Sequence, residues 1–276
     1  MKIARIYYHD QICQAVVEGD AYIVESPSSL AGQVVPVNEA PLLPPVSPGK
    51  IIGVGWNFRP HIDEMDRKAA QAPGTVVTYR HVADKELPPP LFFLKPSSSL
   101  VGSGQAIVYP QDAVRVEYEG ELAVIIGRPA RRLSPREARK VVWGWTCAND
   151  VTEREYQAKD NQWWRAKGYD TFAVAGPYLE TETPSPEAWI RTRVNGELRQ
   201  ESQLKDMIRD PYTVISLLSQ AMTLWPGDLI MLGTPEGVGE LKPGDQVEVI
   251  IDGVGRLWNP VVAEGEGAQG FSLRGK

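Results

Sequence analysis

Val114-Arg115-Val116-Glu117-Tyr118-Glu119-Gly120-Glu121-Leu122-Ala123-Val124-Ile125-Ile126-Gly127 changes character halfway along. Leu122 to Ile126 is a short apolar run rich in branched residues and closed by Gly127, which is the pattern of a buried strand. In an extended chain residues of one parity share a face, so Glu117, Glu119 and Glu121 are expected to point the same way. Three like charges on one face repel unless solvent or a cation compensates them. Gly120 marks a bulge or a place where another group approaches the backbone closely. Two readings stay open at this level. One is an edge strand whose wet acidic face resists aggregation; the other is a set of carboxylate oxygens gathered for a hard divalent cation.

With 276 residues the chain suffices for one large domain with a small appendage. A net charge of -6 without a basic block argues against nucleic acid as a partner and leaves small molecules. Met1-Lys2-Ile3-Ala4-Arg5 has no apolar signal core, and no segment approaches the ~20 apolar residues of a membrane span, so a cytoplasmic protein is expected. Cys13 and Cys147 are isolated, which indicates neither a disulfide nor a thiolate zinc site. Only His9, His61 and His81 could serve a multi-histidine metal site. A phosphate-binding loop, a Gly-x-Ser-x-Gly elbow and a His-Glu-x-x-His pair are all absent, so serine-hydrolase and zinc-protease readings fail.

Lys2 to about Val37 reads as short strands and turns, and the prolines from Pro41 to Pro48 form a connector. A small N-terminal β unit over 1–47 and a larger domain over 48–276 are expected. After a strand at Lys50 to Val54, Pro60 can open a helix that puts His61 and Glu64 one turn apart on one face. Met65 to Pro90 is polar, broken by Pro73-Gly74, and reads as a long excursion. Ser134-Pro135-Arg136-Glu137 is a capping box. Val141 to Ala148 is strand-like and ends at Asn149-Asp150, where Asp150 could simply cap a helix running through Gln157. Asn195-Gly196 between Ile190 to Val194 and Glu197-Leu198 predicts a hairpin. Pro211 to Thr223 has helical spacing, and Leu229 to Leu232 is a buried strand running into Gly233-Thr234-Pro235-Glu236-Gly237-Val238-Gly239.

Four of these pieces occur in a familiar order: Glu117 to Gly127; Asn149-Asp150-Val151-Thr152; Ala166-Lys167 with Asp170-Thr171-Phe172 and Gly176-Pro177; and Gly233 to Gly239. Together they closely resemble the fumarylacetoacetate hydrolase family over roughly Lys50 to Val261. The resemblance implies an α+β, mostly β chain with a mixed β-roll, a homodimer, and one Mg2+ or Mn2+ per site. It places the metal ligands at Glu119, Glu121 and Asp150, and it leaves Glu117 outside the ligand set. The family's lysine falls on Lys167, and its substrate-binding turn on Gly233 and Thr234. His61 and Glu64 match the His and Glu of relatives that hydrolyse acylpyruvates, although Phe58 stands where Tyr is usual and Pro60 is atypical.

Three carboxylates make a hard, slightly anionic site that suits an octahedral divalent ion with positions left for substrate and water. A 2-oxo acid can chelate such an ion, which polarises its ketone. Lys167 is then suited to stabilise an enolate oxygen, and His61, oriented by Glu64, to take a proton from an attacking water. The expected activity is metal-dependent C–C bond hydrolysis of an acylpyruvate-type substrate. An isomerase or decarboxylase of aromatic catabolism, acting on compounds such as 2-hydroxyhepta-2,4-diene-1,7-dioate or oxaloacetate, uses the same enolate. A non-catalytic ligand-binding protein is the remote alternative.

Overall fold

The computed structural model describes residues 1–71 and 91–265. The chain is mostly β, built on a mixed sheet of eleven strands and a second sheet of five. Gly120–Ile126 lies inside the large sheet, antiparallel to Val142–Asp150 on one side and to Leu229–Met231 on the other. Its alternate residues enter different cores. Leu122, Val124 and Ile126 join the main apolar cluster with Ile190, Val249 and Leu257 of the five-stranded sheet. Ala123 and Ile125 pack on the other face with Ile51, Ala173 and Leu229. Burial on both faces explains why the run is continuously apolar instead of alternating.

Most elements form where local chemistry asks for them. Asn195 and Gly196, with φ of 53° and 81°, turn Trp189–Val194 into Glu197–Gln203, as the twist of a two-residue hairpin requires. Helix α1 spans Arg59–Gln71 with Pro60 in its first turn, and α2, Pro135–Ala138, carries the capping box of Ser134 and Glu137. The short helices α3, Arg154–Lys159, and α4, Trp164–Gly168, follow the Val142–Asp150 strand. Helix α5, Pro211–Ala221, is capped by Asp210. The N-terminal strands extend the large sheet by pairing Lys2 with Glu180 and Ile3 with Leu179, over an apolar cluster of their own. Among the described residues no helix is long and apolar enough to cross a membrane.

Three expectations need correction. The acidic stretch is not one strand: Val116–Tyr118 belongs to a small three-stranded sheet, and the chain breaks at Glu119 before Gly120–Ile126 begins. The polar excursion does not begin at Met65, because α1 runs on through Gln71; 72–90 lie outside the described residues. Asp150 caps no helix, since the cap of α3 is Glu153, whose carboxylate accepts the Tyr156 N–H.

Gly120 explains the break. A Cβ there would stand 2.0 Å from Thr192 Oγ1 and 3.3 Å from Gln200 Oε1, because the five-stranded sheet crosses directly over it. Its N–H donates to Gln200 Oε1 at 3.0 Å and its carbonyl accepts from Thr234 Oγ1 at 2.9 Å. Gly120→Ala is therefore expected to destabilise the protein by about 1–3 kcal/mol, the usual range for overpacking. Adding Thr192→Ala should return part of that loss. Chemical denaturation of the single and double variants checks this, and strictly additive losses would show that the close approach to Thr192 is not the cause.

Candidate metal centre and cleft

Gly120–Ile126 and Val142–Asp150 pair with Gly120 opposite Asn149, so the start of one strand meets the end of the other. Glu119 precedes the first strand, Glu121 is its second residue and Asp150 ends the other. One oxygen from each lies within 4.8 Å of the others, and all three side chains are buried. The backbone fixes them. The Asn149 side-chain oxygen accepts the Glu119 N–H at 2.9 Å, the Asp150 N–H donates to the Glu119 carbonyl at 2.9 Å, and the Gly233 N–H donates to Glu121 at 2.7 Å.

Three basic residues surround the carboxylates. Lys167, on α4, donates to Glu119 at 2.9 Å and to Asp150 at 2.6 Å. Lys95, at the end of the Leu91–Lys95 strand, bonds the other Asp150 oxygen and the Val151 carbonyl. Arg154 opens α3, donating to Glu117 at 2.6 Å and to Gln157 at 2.7 Å while standing 2.5 Å from Glu119. Glu117 is thus the counter-charge of Arg154 and stands outside the carboxylate trio.

The charges do not balance evenly. Burial would raise Glu119, but Arg154 and Lys167 outweigh it and hold its carboxyl far below the usual range. Glu121 goes the other way: burial, with the charges of Asp150 and Glu119 beside it, pushes its carboxyl well above the usual range. Lys95 is lowered to about 8 by complete burial and by Lys167, with Asp150 opposing. Burial would also lower Lys167, yet Asp150 and Glu119 raise it, so it stays an ammonium. A carboxyl raised by the charges beside it marks negative charge left over at this point. Hard oxygen donors with surplus negative charge fit a divalent cation.

His61 and Glu64 face the same place from α1. His61 Nδ1 lies 3.5 Å from a Glu64 oxygen, at the edge of hydrogen bonding and not aligned as one. Burial would raise Glu64, but contacts with His61, Lys68 and the Gly237 N–H hold it down at about 2, so it remains charged. That N–H, 3.0 Å away, ties α1 to the glycine-rich turn. Thr234 Oγ1 accepts from the Gln200 amide at 2.8 Å and donates to Gly120, while Gly233 contributes its backbone to Glu121. A cleft lined by His61, Met65, Glu119, Glu121, Arg154, Gln157, Lys167 and Thr234 joins these groups, and Trp56, Phe93 and Trp163 line it too.

Of the eight sequence-derived positions, His61, Glu119, Glu121, Lys167 and Thr234 line the cleft, while Asp150 bonded to Lys167, Gly233 bonded to Glu121 and Glu64 beside His61 stand behind them. Sequence reasoning missed Lys95, Arg154 and Gln157. Lys95 had a usable signal, since a lysine directly after Leu91-Phe92-Phe93-Leu94 enters a buried strand and needs a partner there. Arg154 carried none, being one of several charges on a short helix.

Comparison with known proteins agrees with this geometry. The family model described as fumarylacetoacetate (FAA) hydrolase C-terminal matches residues 50–262. The solved 2-hydroxyhepta-2,4-diene-1,7-dioate isomerase of Mycobacterium marinum is 34% identical, covering 96% of this chain and 100% of that one with a TM-score of 0.82. Maleylpyruvate hydrolase of Sphingobium sp. SYK-6, solved in complex with manganese (II) ion and pyruvate, is 28% identical, covering 95% and 99%, with a TM-score of 0.74. The oxaloacetate tautomerase YisK of Bacillus subtilis is 32% identical over 274 residues, 91% of this chain and 86% of the relative. Its buried acidic trio and its match along nearly the whole length of these enzymes place this chain in the fumarylacetoacetate hydrolase family.

Proposed function

We propose that the protein is a divalent-metal-dependent enzyme of 2-oxo acids that hydrolyses a C–C bond in an acylpyruvate-type substrate. The observation that carries this reading is the convergence of Glu119, Glu121, the Lys167 ammonium and His61 on one cleft, with Asp150 completing the acidic trio and Glu64 beside His61. Mg2+ or Mn2+ held by Glu119, Glu121 and Asp150 would supply Lewis acidity to the ketone of a chelated 2-oxo acid. Hydrolysis of R–CO–CH2–CO–COO⁻ consumes one water and yields R–COO⁻, pyruvate and one proton. The Lys167 ammonium offers its charge to the oxygen that becomes an enolate when the electron pair of the broken C–C bond moves onto the pyruvate fragment. His61 takes the proton of the water that adds to the distal carbonyl, with the Glu64 carboxylate favouring the imidazolium that results. Thr234, at the cleft, is the group that meets the substrate carboxylate, by turning its hydroxyl from the Gly120 carbonyl toward it.

A tautomerase or isomerase of an oxaloacetate-like or dienedioate substrate is the second reading, supported by the relatives of those names. It needs the same enolate but no activated water. A cytoplasmic homodimer belongs to the proposal, as does the division into a 1–47 unit and a catalytic 48–276 unit; the family match beginning at residue 50 supports the latter.

Two measurements test it. The proton on Glu121 must leave before the carboxylate can bind a cation, so Mn2+ affinity should rise with pH through the raised Glu121 titration and binding should release a proton. Calorimetry in two buffers of different ionisation enthalpy reads that proton directly, and buffer-independent heats would contradict it. Glu121→Gln should weaken Mn2+ by more than the roughly 10–100-fold lost with an outer-shell partner. For the reaction, His61→Ala should reduce acylpyruvate hydrolysis by about 10²–10⁴-fold while sparing oxaloacetate decarboxylation, which needs no activated water. Equal loss of both would make His61 a substrate-binding group.

A further inference from the structure

Gly120, Gln200 and Thr234, all buried, close a ring of hydrogen bonds. The Gly120 N–H donates to Gln200 Oε1 at 3.0 Å, Gln200 Nε2 donates to Thr234 Oγ1 at 2.8 Å, and Thr234 Oγ1 donates to the Gly120 carbonyl at 2.9 Å. Elementary chemistry fixes the direction of each bond. A backbone N–H can only donate, so the Gln200 atom facing Gly120 is the amide oxygen. A carbonyl can only accept, so the Gln200 atom 2.8 Å from the Pro235 oxygen is the amide nitrogen. With both ends of the amide assigned in this way, Gln200 presents an N–H to Thr234 and nothing else. The Thr234 oxygen accepts it, and its single proton is left to be given elsewhere. Bonds that run head to tail around a ring polarise one another, which reinforces that direction.

Thr234 lines the cleft, whereas Gln200 is not one of the lining groups. Gln200 comes from Glu197–Gln203, where Arg199 and Glu201 on either side of it are exposed. It is the buried residue of that strand, and both hydrogens and the oxygen of its amide are used, on Thr234, Pro235 and Gly120. We infer that Gln200 is a positioning residue for the substrate: by donating to Thr234 it makes that hydroxyl a hydrogen-bond donor toward the cleft, suited to a carboxylate oxygen. This rests on the role given to Thr234 above and adds the residue that sets the polarity of its hydroxyl. When a 2-oxo acid arrives, the Thr234 proton exchanges the Gly120 carbonyl for a charged acceptor, which makes the stronger bond. The Gln200 N–H keeps the oxygen in place meanwhile. Without Gln200 the hydroxyl is free to turn, and part of its donor capacity toward the substrate is lost. A residue that only braced the strand against the turn would make the same bonds, but its removal would not act on substrate binding through the Thr234 hydroxyl.

A double-mutant cycle on pyruvate binding to the Mn2+-loaded protein separates the two, with calorimetry as the readout and Mn2+ affinity measured on its own. Thr234→Val, which keeps the shape and removes the hydroxyl, should weaken pyruvate about tenfold. Gln200→Met should weaken it by about three- to tenfold. In the Thr234→Val background the same change should cost less than about twofold, because its effect passes through the missing hydroxyl. Gln200→Glu is the second variant, in case Gln200→Met does not fold. Its protonated carboxyl can still donate to Thr234, but the ionised form only accepts and takes the Thr234 proton for itself. Pyruvate binding to Gln200→Glu should therefore fall, relative to wild type, as pH rises through the titration of the new carboxyl. Losses that simply add in the cycle, wild-type affinity in Gln200→Met, or a Gln200→Glu profile parallel to that of wild type would each overturn the inference. So would a loss of pyruvate binding that only follows a loss of Mn2+. Failure of the Mn2+-loaded wild type to bind pyruvate at all would overturn the 2-oxo acid reading, and this inference with it.

Discussion

Everything around the cleft depends on carrying buried negative charge. Taking a carboxylate out of water costs several kcal/mol even after relaxation, and Glu117, Glu119, Glu121 and Asp150 are all buried within one short stretch of space. A pair of opposite charges about 4 Å apart returns roughly 4 kcal/mol at an effective dielectric of ~20. Lys95, Lys167 and Arg154 are therefore requirements of the fold at this place and not ornaments of it. They serve Asp150, Glu119 and Glu117. Among the described residues Glu121 receives the Gly233 N–H and no ion pair, and its carboxyl is pushed well above the usual range. The compensation is deliberately incomplete in one direction, which is what a site for an exchangeable cation needs.

The second constraint is steric. Two sheets cross at Gly120, and the contact is close enough that no side chain fits between Thr192 and the strand. Gln200 uses both ends of its amide there, accepting the Gly120 N–H and donating to Thr234 and to the Pro235 carbonyl. A single buried side chain thus fixes the strand that carries Glu119 and Glu121 relative to the turn that carries Gly233 and Thr234. Buried polar groups satisfied in this way favour one arrangement over its neighbours, because any shift leaves an amide unpaired at a cost of about 1–3 kcal/mol.

Much of this was legible beforehand, for reasons that separate cleanly. Local signals worked: the apolar run to Ile126, the Ser134/Glu137 box, the Asn195-Gly196 turn and the helix after Pro211 each depend on residues a few positions apart. Strand parity placed Glu119 and Glu121 together even though the strand was not continuous. It could not show that Glu117 stands outside the trio, paired instead with Arg154 37 residues away and carried on a different small sheet. Lys95 meets Asp150 across 55 residues, and no spacing rule reaches that far. The family resemblance supplied the ligand set and Lys167, but it did not supply Lys95 and Arg154, which share in compensating the buried carboxylates.

The same long-range logic connects the proposed base to the metal centre. Glu64 is not simply an orienting carboxylate for His61, because its oxygen also accepts the N–H of Gly237 in the glycine-rich turn. Lys68, one turn further along α1, reaches Glu64 at 2.9 Å and the Val238 carbonyl at 3.0 Å, making a second tie to that turn. The turn in turn gives Gly233 to Glu121 and Thr234 to Gly120. Helix α1 is consequently docked, at Glu64 and Lys68, onto the same backbone segment that steadies the acidic trio. A base carried this way keeps its distance from the cation site through shared hydrogen bonds, so precision comes from the turn and not from the helix alone. Glycine at 237 is what permits it: with a φ of 96° and the Arg199 carbonyl 2.1 Å from where a Cβ would stand, only a bare backbone can present that N–H to Glu64.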